Sequence, residues 1–153
     1  MPLTEHEPSR GPDLGFTHVA LTVRDAVASI SFYSRFADMQ VVHRRTDRSG
    51  HVVVWLGDLT RPFVVVLIEA DAVTHVLGGW THLGVALPSR DEVDRRAARA
   101  AADGHRVLGP YDEGPPVGYW AIIVDPDGHN LELSYGQEVE FSVTDATEHR
   151  APS

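Results

Sequence analysis

Four residues of metal-ligating type recur at matched spacing in this chain: His18, Glu69, His82 and Glu132. His82 follows His18 by 64 positions, and each is preceded by a threonine. Glu132 follows Glu69 by 63. Two imidazole nitrogens and two carboxylates suit a borderline divalent cation such as Zn, Ni, Co, Fe(II) or Mn. A shell left open to water or substrate is of the catalytic rather than the closed, structural kind. That chemistry requires the four side chains to meet, so the elements that carry them decide the matter.

Those elements come in two rounds of the same order. Phe16–Val23 alternates apolar and polar residues and predicts a strand with Val19, Leu21 and Val23 on one face. Asp25 is an N-cap for a helix to about Phe36, with Ala26, Ser29, Ile30, Phe32, Tyr33, Phe36 and Ala37 on one stripe. Strands are expected at Met39–Arg45, His51–Leu56 and Phe63–Ala70. After a linker the pattern returns. A strand is expected at Trp80–Leu87, and Ser89 with Glu92 forms a capping box for a helix to about Ala102. Strands follow near Arg106–Leu108, Gly118–Val124 and Asn130–Tyr135. Asp125-Pro126-Asp127-Gly128 is turn chemistry leading into the last of them. Both caps keep the offset, Ser89 falling 64 after Asp25.

The expected fold is therefore α+β, two tandem βαβββ units forming a curved mixed sheet around a metal-binding cavity. Residues 1–14 read as an N-terminal arm and 15–136 as one domain, with units 15–71 and 79–136. Residues 137–153 read as a tail, in which Glu138–Val143 alternates as an extra strand or an arm on a partner would. Each unit places one His on its first strand and one Glu on its last. Val64, Val66 and Ile68 oppose Glu69 in parity; Leu83, Val85 and Leu87 oppose His82. With the aliphatic faces packed on the helices, the four polar residues share the other face. Trp55, Tyr119 and Trp80 are candidates for the cavity wall. Arg44, Arg45 and Arg48 read as a solvated hairpin, and His129 as the variable residue of its turn.

Composition narrows the function. A balance of 13 basic against 22 acidic residues leaves a net charge of −9, which argues against nucleic-acid or anionic-membrane partners. No lysine is present, so Schiff-base and P-loop lysine chemistry is excluded. The absence of cysteine excludes disulfides, zinc–thiolate sites, Fe–S clusters and thiol nucleophiles. No apolar leader and no apolar run of membrane-span length is present, so a soluble cytoplasmic protein is the expectation.

The paired units, Thr17-His18-Val19-Ala20-Leu21, Ile68-Glu69, Thr81-His82-Leu83-Gly84-Val85 and above all Asp125-Pro126-Asp127-Gly128-His129-Asn130-Leu131-Glu132 resemble the vicinal oxygen chelate superfamily. That superfamily includes glyoxalase I, extradiol dioxygenases, methylmalonyl-CoA epimerase and the fosfomycin- and bleomycin-resistance proteins. The resemblance spans about residues 15 to 136. It implies a cup of strands around a divalent metal ion, completed in many members across a homodimer, and a small-molecule substrate bound through vicinal oxygens. His18, Glu69, His82 and Glu132 match the four metal positions of bacterial glyoxalase I. The activity so implied is lyase or isomerase chemistry through a metal-stabilised enediolate, with Glu69 or Glu132 as general base. Two alternatives accompany it: an Fe(II)- or Mn(II)-dependent ring-cleaving dioxygenase using His18, His82 and Glu132, and a non-catalytic drug- or metabolite-binding protein. The chain departs from bacterial glyoxalase I at Thr22 and Val73, where an Arg and an Asn that recognise glutathione are expected. It departs from the dioxygenases at Ile122, where a Tyr is expected.

Overall fold

Alternation of Val19, Leu21 and Val23 with Ala20 and Thr22 commits the first segment to a strand with one apolar face. A computed structural model describes residues 11–150, so ten residues of the expected arm and the last three of the tail lie outside the described residues. The element order is β1 (His18–Val23), α1 (Ala26–Ala37), β2 (Gln40–Thr46), β3 (Val52–Gly57) and β4 (Val64–Glu69). It continues with β5 (Leu83–Ala86), α2 (Arg90–Ala102), β6 (Val107–Asp112), β7 (Tyr119–Val124), β8 (Asn130–Tyr135) and α3 (Val139–Glu148).

The duplication read from the sequence is present in the topology. One sheet runs β1-β4-β3-β2 and the other β5-β8-β7-β6. In each, the first and last strands of the unit pair in parallel and the rest antiparallel. The fold is α+β, two four-stranded mixed sheets with helices. Residues 80–82 precede β5 instead of belonging to it. Conversely, β6 runs on through Gly109 and Pro110, with a register shift between Leu108 and Tyr111. An irregular edge strand is where a proline is tolerated in a sheet.

Helices α1 and α2 each cover one face of their own sheet. Phe32, Tyr33 and Phe36 of α1 and Val93, Ala97 and Ala100 of α2 are buried with Leu21, Val23, Leu67, Leu131 and Leu133 in one continuous core. Ala101 of α2 is exposed. Helix α2 is joined to α1 by Arg96, whose guanidinium donates to the Phe36 carbonyl and to Asp38.

The Asp125 turn links the two units. The Tyr33 hydroxyl donates to Asp125 Oδ2 at 2.8 Å, while Oδ1 accepts from the Asp127 and His129 amides. Burial first, and then the adjacent Asp125 carboxylate, push the Tyr33 hydroxyl above its ordinary pKa, so it remains a donor. His129 is not the ordinary turn residue expected from the sequence. It is 1% exposed. Its Nδ1 accepts from the Leu77 amide, and its Nε2 meets the Thr22 carbonyl at 2.8 Å. A carbonyl only accepts, so the proton sits on Nε2.

The tail departs from the expectation of a strand. Val139–Glu148 is a helix with no buried residue. Val139 and Val143 satisfy an i,i+4 spacing as well as a period of two, and so short an alternation does not separate them. Among the described residues no helix is long and apolar enough to cross a membrane.

Replacing Tyr33 with Phe strands Asp125 Oδ2 in the core, and we expect a loss of about 1.5–3 kcal/mol, the range for a hydrogen bond to a charged group. Urea unfolding should show a lower midpoint at unchanged slope; a midpoint within error of wild type would mean the hydroxyl does not hold the units together.

Candidate metal centre

Parity and pairing register decide which side chains face the concave side of each sheet. In the second unit Gly84 pairs with Glu132, which pairs in turn with Ile122. The neighbouring positions Leu131, Leu133, Ala121 and Ile123 lie in the core against α2. Glu132 therefore faces away from the helix. Its Oε2 stands 3.3 Å from His82 Nε2. The His82 Nδ1 lies 2.6 Å from the Trp80 carbonyl, to which it donates. Asn130 Nδ2 donates to the Gly79 and Thr81 carbonyls and so fixes the segment leading to His82.

This pair has a chemical consequence. With Nδ1 donating to a carbonyl, Nε2 of a neutral imidazole presents a lone pair. Opposite it sits an oxygen of a carboxylate, which when ionised also only accepts. Two lone pairs at that separation need a cation between or beside them, either a proton or a metal ion. The donor set fits a divalent metal, and the carbonyl on Nδ1 is the outer partner that metal-bound histidines usually have.

The first unit presents the matching concave face without the carboxylate. His18 opens β1, and Thr17 Oγ1 lies 2.9 Å from its Nδ1, leaving Nε2 free. His18, Ala20, His43, Trp55, Val64, Val66 and Ile68 line a cavity of about 820 Å³. In this sheet Ala20 pairs with Val66, as Gly84 pairs with Glu132 in the other. Val66 is therefore the counterpart of Glu132.

Glu69 is placed elsewhere, and this corrects the sequence reading. It pairs with Val23, a fully buried residue of the helix-facing side. Its Oε2 accepts from the Ala26 amide at 3.0 Å. Asp25 Oδ1 takes the Val27 and Ala28 amides, so two carboxylates satisfy the first three free N–H groups of α1. The error lay in the assumed face. Val65 and Leu67 pack on α1, whereas Val64, Val66 and Ile68 line the cavity. In a strand apolar on both faces, aliphatic parity does not say which face meets the helix.

Other placements follow from the same geometry. Trp55 lines the cavity, its ring 4.8 Å from that of His43. Trp80 and Tyr111 flank Trp120 at 6.3 and 5.2 Å. Tyr119 faces the other way, its hydroxyl donating to Asp94 on α2. Two residues absent from the sequence reading contribute to the centre. Asn130 shares the parity of Glu132 along β8, which was signal enough to find it. Gln137 donates to Glu132 Oε1 at 2.8 Å from beyond the last strand, where no periodicity could reveal it. Among the described residues no three His, Asp or Glu side chains group closely enough to hold a metal.

Comparison with known proteins agrees with this architecture. Residues 15–133 match the family model described as Glyoxalase/Bleomycin resistance protein/Dioxygenase superfamily. An uncharacterized protein of Pseudomonas aeruginosa, PA2024, is 40% identical over 124 residues, covering 79% of this chain and 88% of that one. Among solved structures, the fosfomycin resistance protein FosX of Listeria monocytogenes, complexed with Mn(II) and 1S,2S-dihydroxypropylphosphonic acid, superposes with a TM-score of 0.64 at 21% identity. That match covers 84% of this chain and 97% of FosX. The trypanothione-dependent glyoxalase I of Leishmania major gives a TM-score of 0.63 at 23% identity over 89% of this chain and 97% of that one. At these identities the structures establish the shared fold.

If Glu69 caps a helix and holds no metal, Glu69→Ala should lower stability by about 0.5–2 kcal/mol, the usual cost of a lost cap. Cobalt uptake, followed by visible absorption, should be unchanged. Abolished uptake in the folded variant would restore Glu69 to the metal centre.

Proposed function

The chain belongs to the glyoxalase/bleomycin resistance protein/dioxygenase superfamily, and on that footing we propose that it is a metal-dependent enzyme acting on a small substrate through two adjacent oxygens. The observation that carries the proposal is the His82–Glu132 pair, two facing acceptor atoms, one on β8 and one on the segment that Asn130 holds before β5, with their outer partners in place. His82 Nε2 and Glu132 Oε2 supply two ligands and His18 the third. When bound, a divalent ion supplies Lewis-acid polarisation of a substrate oxygen and stabilises the negative charge that develops there.

His18 comes from a second copy of the chain. Each sheet carries half of the centre, and among the described residues one chain does not bring three ligands together. Two copies, with the first unit of one facing the second unit of the other, give two equivalent centres, as a closed twofold dimer requires. The concave faces also expose Trp55, Trp80 and Tyr111, apolar area suited to burial against a partner.

With one carboxylate at the centre instead of two, the protein's part in the reaction changes. Glu69 is removed from the role of base. For lyase or isomerase chemistry next to a carbonyl, proton transfer falls to the wall of the first unit, where His43 lines the same cavity as His18. Trp55, its ring tilted against that of His43, supplies an apolar wall that limits water. A second reading is ring cleavage with dioxygen by an iron or manganese form. It is favoured by the two-His, one-carboxylate set that Val66 leaves behind and by the aromatic wall of Trp80, Trp120 and Tyr111. A pure binding protein has no need of a buried carboxylate set against an imidazole.

Complementation tests both the metal and the shared centre. His18→Gln alone and Glu132→Gln alone should each lose manganese binding, by more than the about 10–100-fold typical of losing a supporting residue. Refolded together, the two inactive variants should regain part of it, because a mixed dimer contains one intact centre. No recovery, with dimers confirmed, would place all ligands within one chain; wild-type binding by either variant would sink the proposed ligand set.

A further inference from the structure

We propose that Gln137 is the positioning residue of the metal centre, holding Glu132 as a fixed ligand through one oxygen and preventing it from acting as a mobile base. The inference rests on the reading that His82 and Glu132 hold a divalent cation.

The chain is built to bring Gln137 back over the sheet. Strand β8 ends at Tyr135, and Gly136 turns the backbone at φ +80. The returning segment lies against Gly118, where an added Cβ would stand 2.5 Å from the Tyr135 oxygen and 2.9 Å from the Gln137 nitrogen. Gly118 also has φ +86, so a side chain there is excluded both by conformation and by space. The Glu138 amide donates to the Pro116 carbonyl and closes the return. Half-buried, Gln137 then reaches Glu132 Oε1 at 2.8 Å. An ionised carboxylate only accepts, so the amide nitrogen faces it.

Both oxygens of Glu132 are thereby committed. Oε1 is taken by Gln137 and Oε2 is aimed at the position beside His82 Nε2. The carboxylate is buried, and a buried acceptor that loses its donor bears the full desolvation cost. Swinging Glu132 away to collect a substrate proton breaks the Gln137 bond and leaves that cost unpaid. With Oε1 held by Gln137, Glu132 would offer a bound divalent ion only Oε2, and the ion would supply Lewis-acid polarisation of a substrate oxygen. The assignment separates this centre from one in which a metal carboxylate leaves to serve as base.

Gln137→Glu keeps the shape and replaces the donor with an acceptor; Gln137→Leu removes the donor without adding charge. Position 137 is half-buried and lies outside the core, so neither change alters the core packing. In full-length protein titrated with Co(II), both variants should bind about 10–100-fold more weakly than wild type, the usual effect of losing an outer partner. The visible absorption bands should also change as Glu132 is released to offer its second oxygen. Wild-type affinity in both variants overturns the proposal, as does weakened binding with an unchanged spectrum. Failure of wild type itself to bind Co(II) strikes the metal reading instead, so the two failures are distinguishable.

Discussion

The site depends on the register in which the first and last strands of each unit pair in parallel. Because side chains alternate along a strand, a shift of one residue sends every group to the opposite face. With Gly84 set against Glu132, the carboxylate faces the concave side and meets His82. With Ala20 set against Val66, the first unit puts an isopropyl group at the corresponding place, and Glu69 falls beyond it on the helix side. One geometric rule applied to two unlike sequences thus makes an asymmetric pair of half-sites from a symmetric duplication.

That asymmetry shapes the chemistry. One half-site contributes an imidazole and an apolar cavity; the other contributes an imidazole, a carboxylate and aromatic rings. Among the described residues neither half groups three His, Asp or Glu side chains. Rigidity comes from the Asp125 turn, whose buried contacts with Tyr33 and Thr22 bind the units of one chain to each other. The same turn starts β8, so the feature that joins the units also fixes the strand bearing Glu132. His129 completes it by receiving the Leu77 amide, and Asn130 beside it holds the approach to His82.

Much of this was legible in the residues. The repeat offset, the caps at Asp25 and Ser89 and the turn at Asp125 located every element of the two units, because caps and turns are written locally. The faces of His18 and Glu132 were legible because β1 and β8 carry polar residues on one parity, and the same alternation carried back from β5 puts His82 beside Glu132. Glu69 was misread because β4 is aliphatic on both faces, and the offset of 63 matched a sequence position, not a place in the sheet. Ala20 and Val66 stand 46 residues apart while Gly84 and Glu132 stand 48 apart, the second unit having the longer path before its third strand, and this makes Val66 the true counterpart. Gln137 and His129 were illegible for another reason. Each acts through a contact closed in three dimensions, across the Gly118 return in one case and between the units in the other.

The central claim is that His82 and Glu132 of one chain and the partner's His18 share one divalent ion, with Glu69 outside its reach. Anomalous diffraction from crystals of the manganese-loaded protein, collected on both sides of the manganese absorption edge, tests it most directly. The account expects an anomalous peak at His82 Nε2 and Glu132 Oε2, bonded also to the partner's His18. A peak bonded to Glu69, or a loaded protein in which His82 and Glu132 face each other with no peak between or beside them, would contradict it.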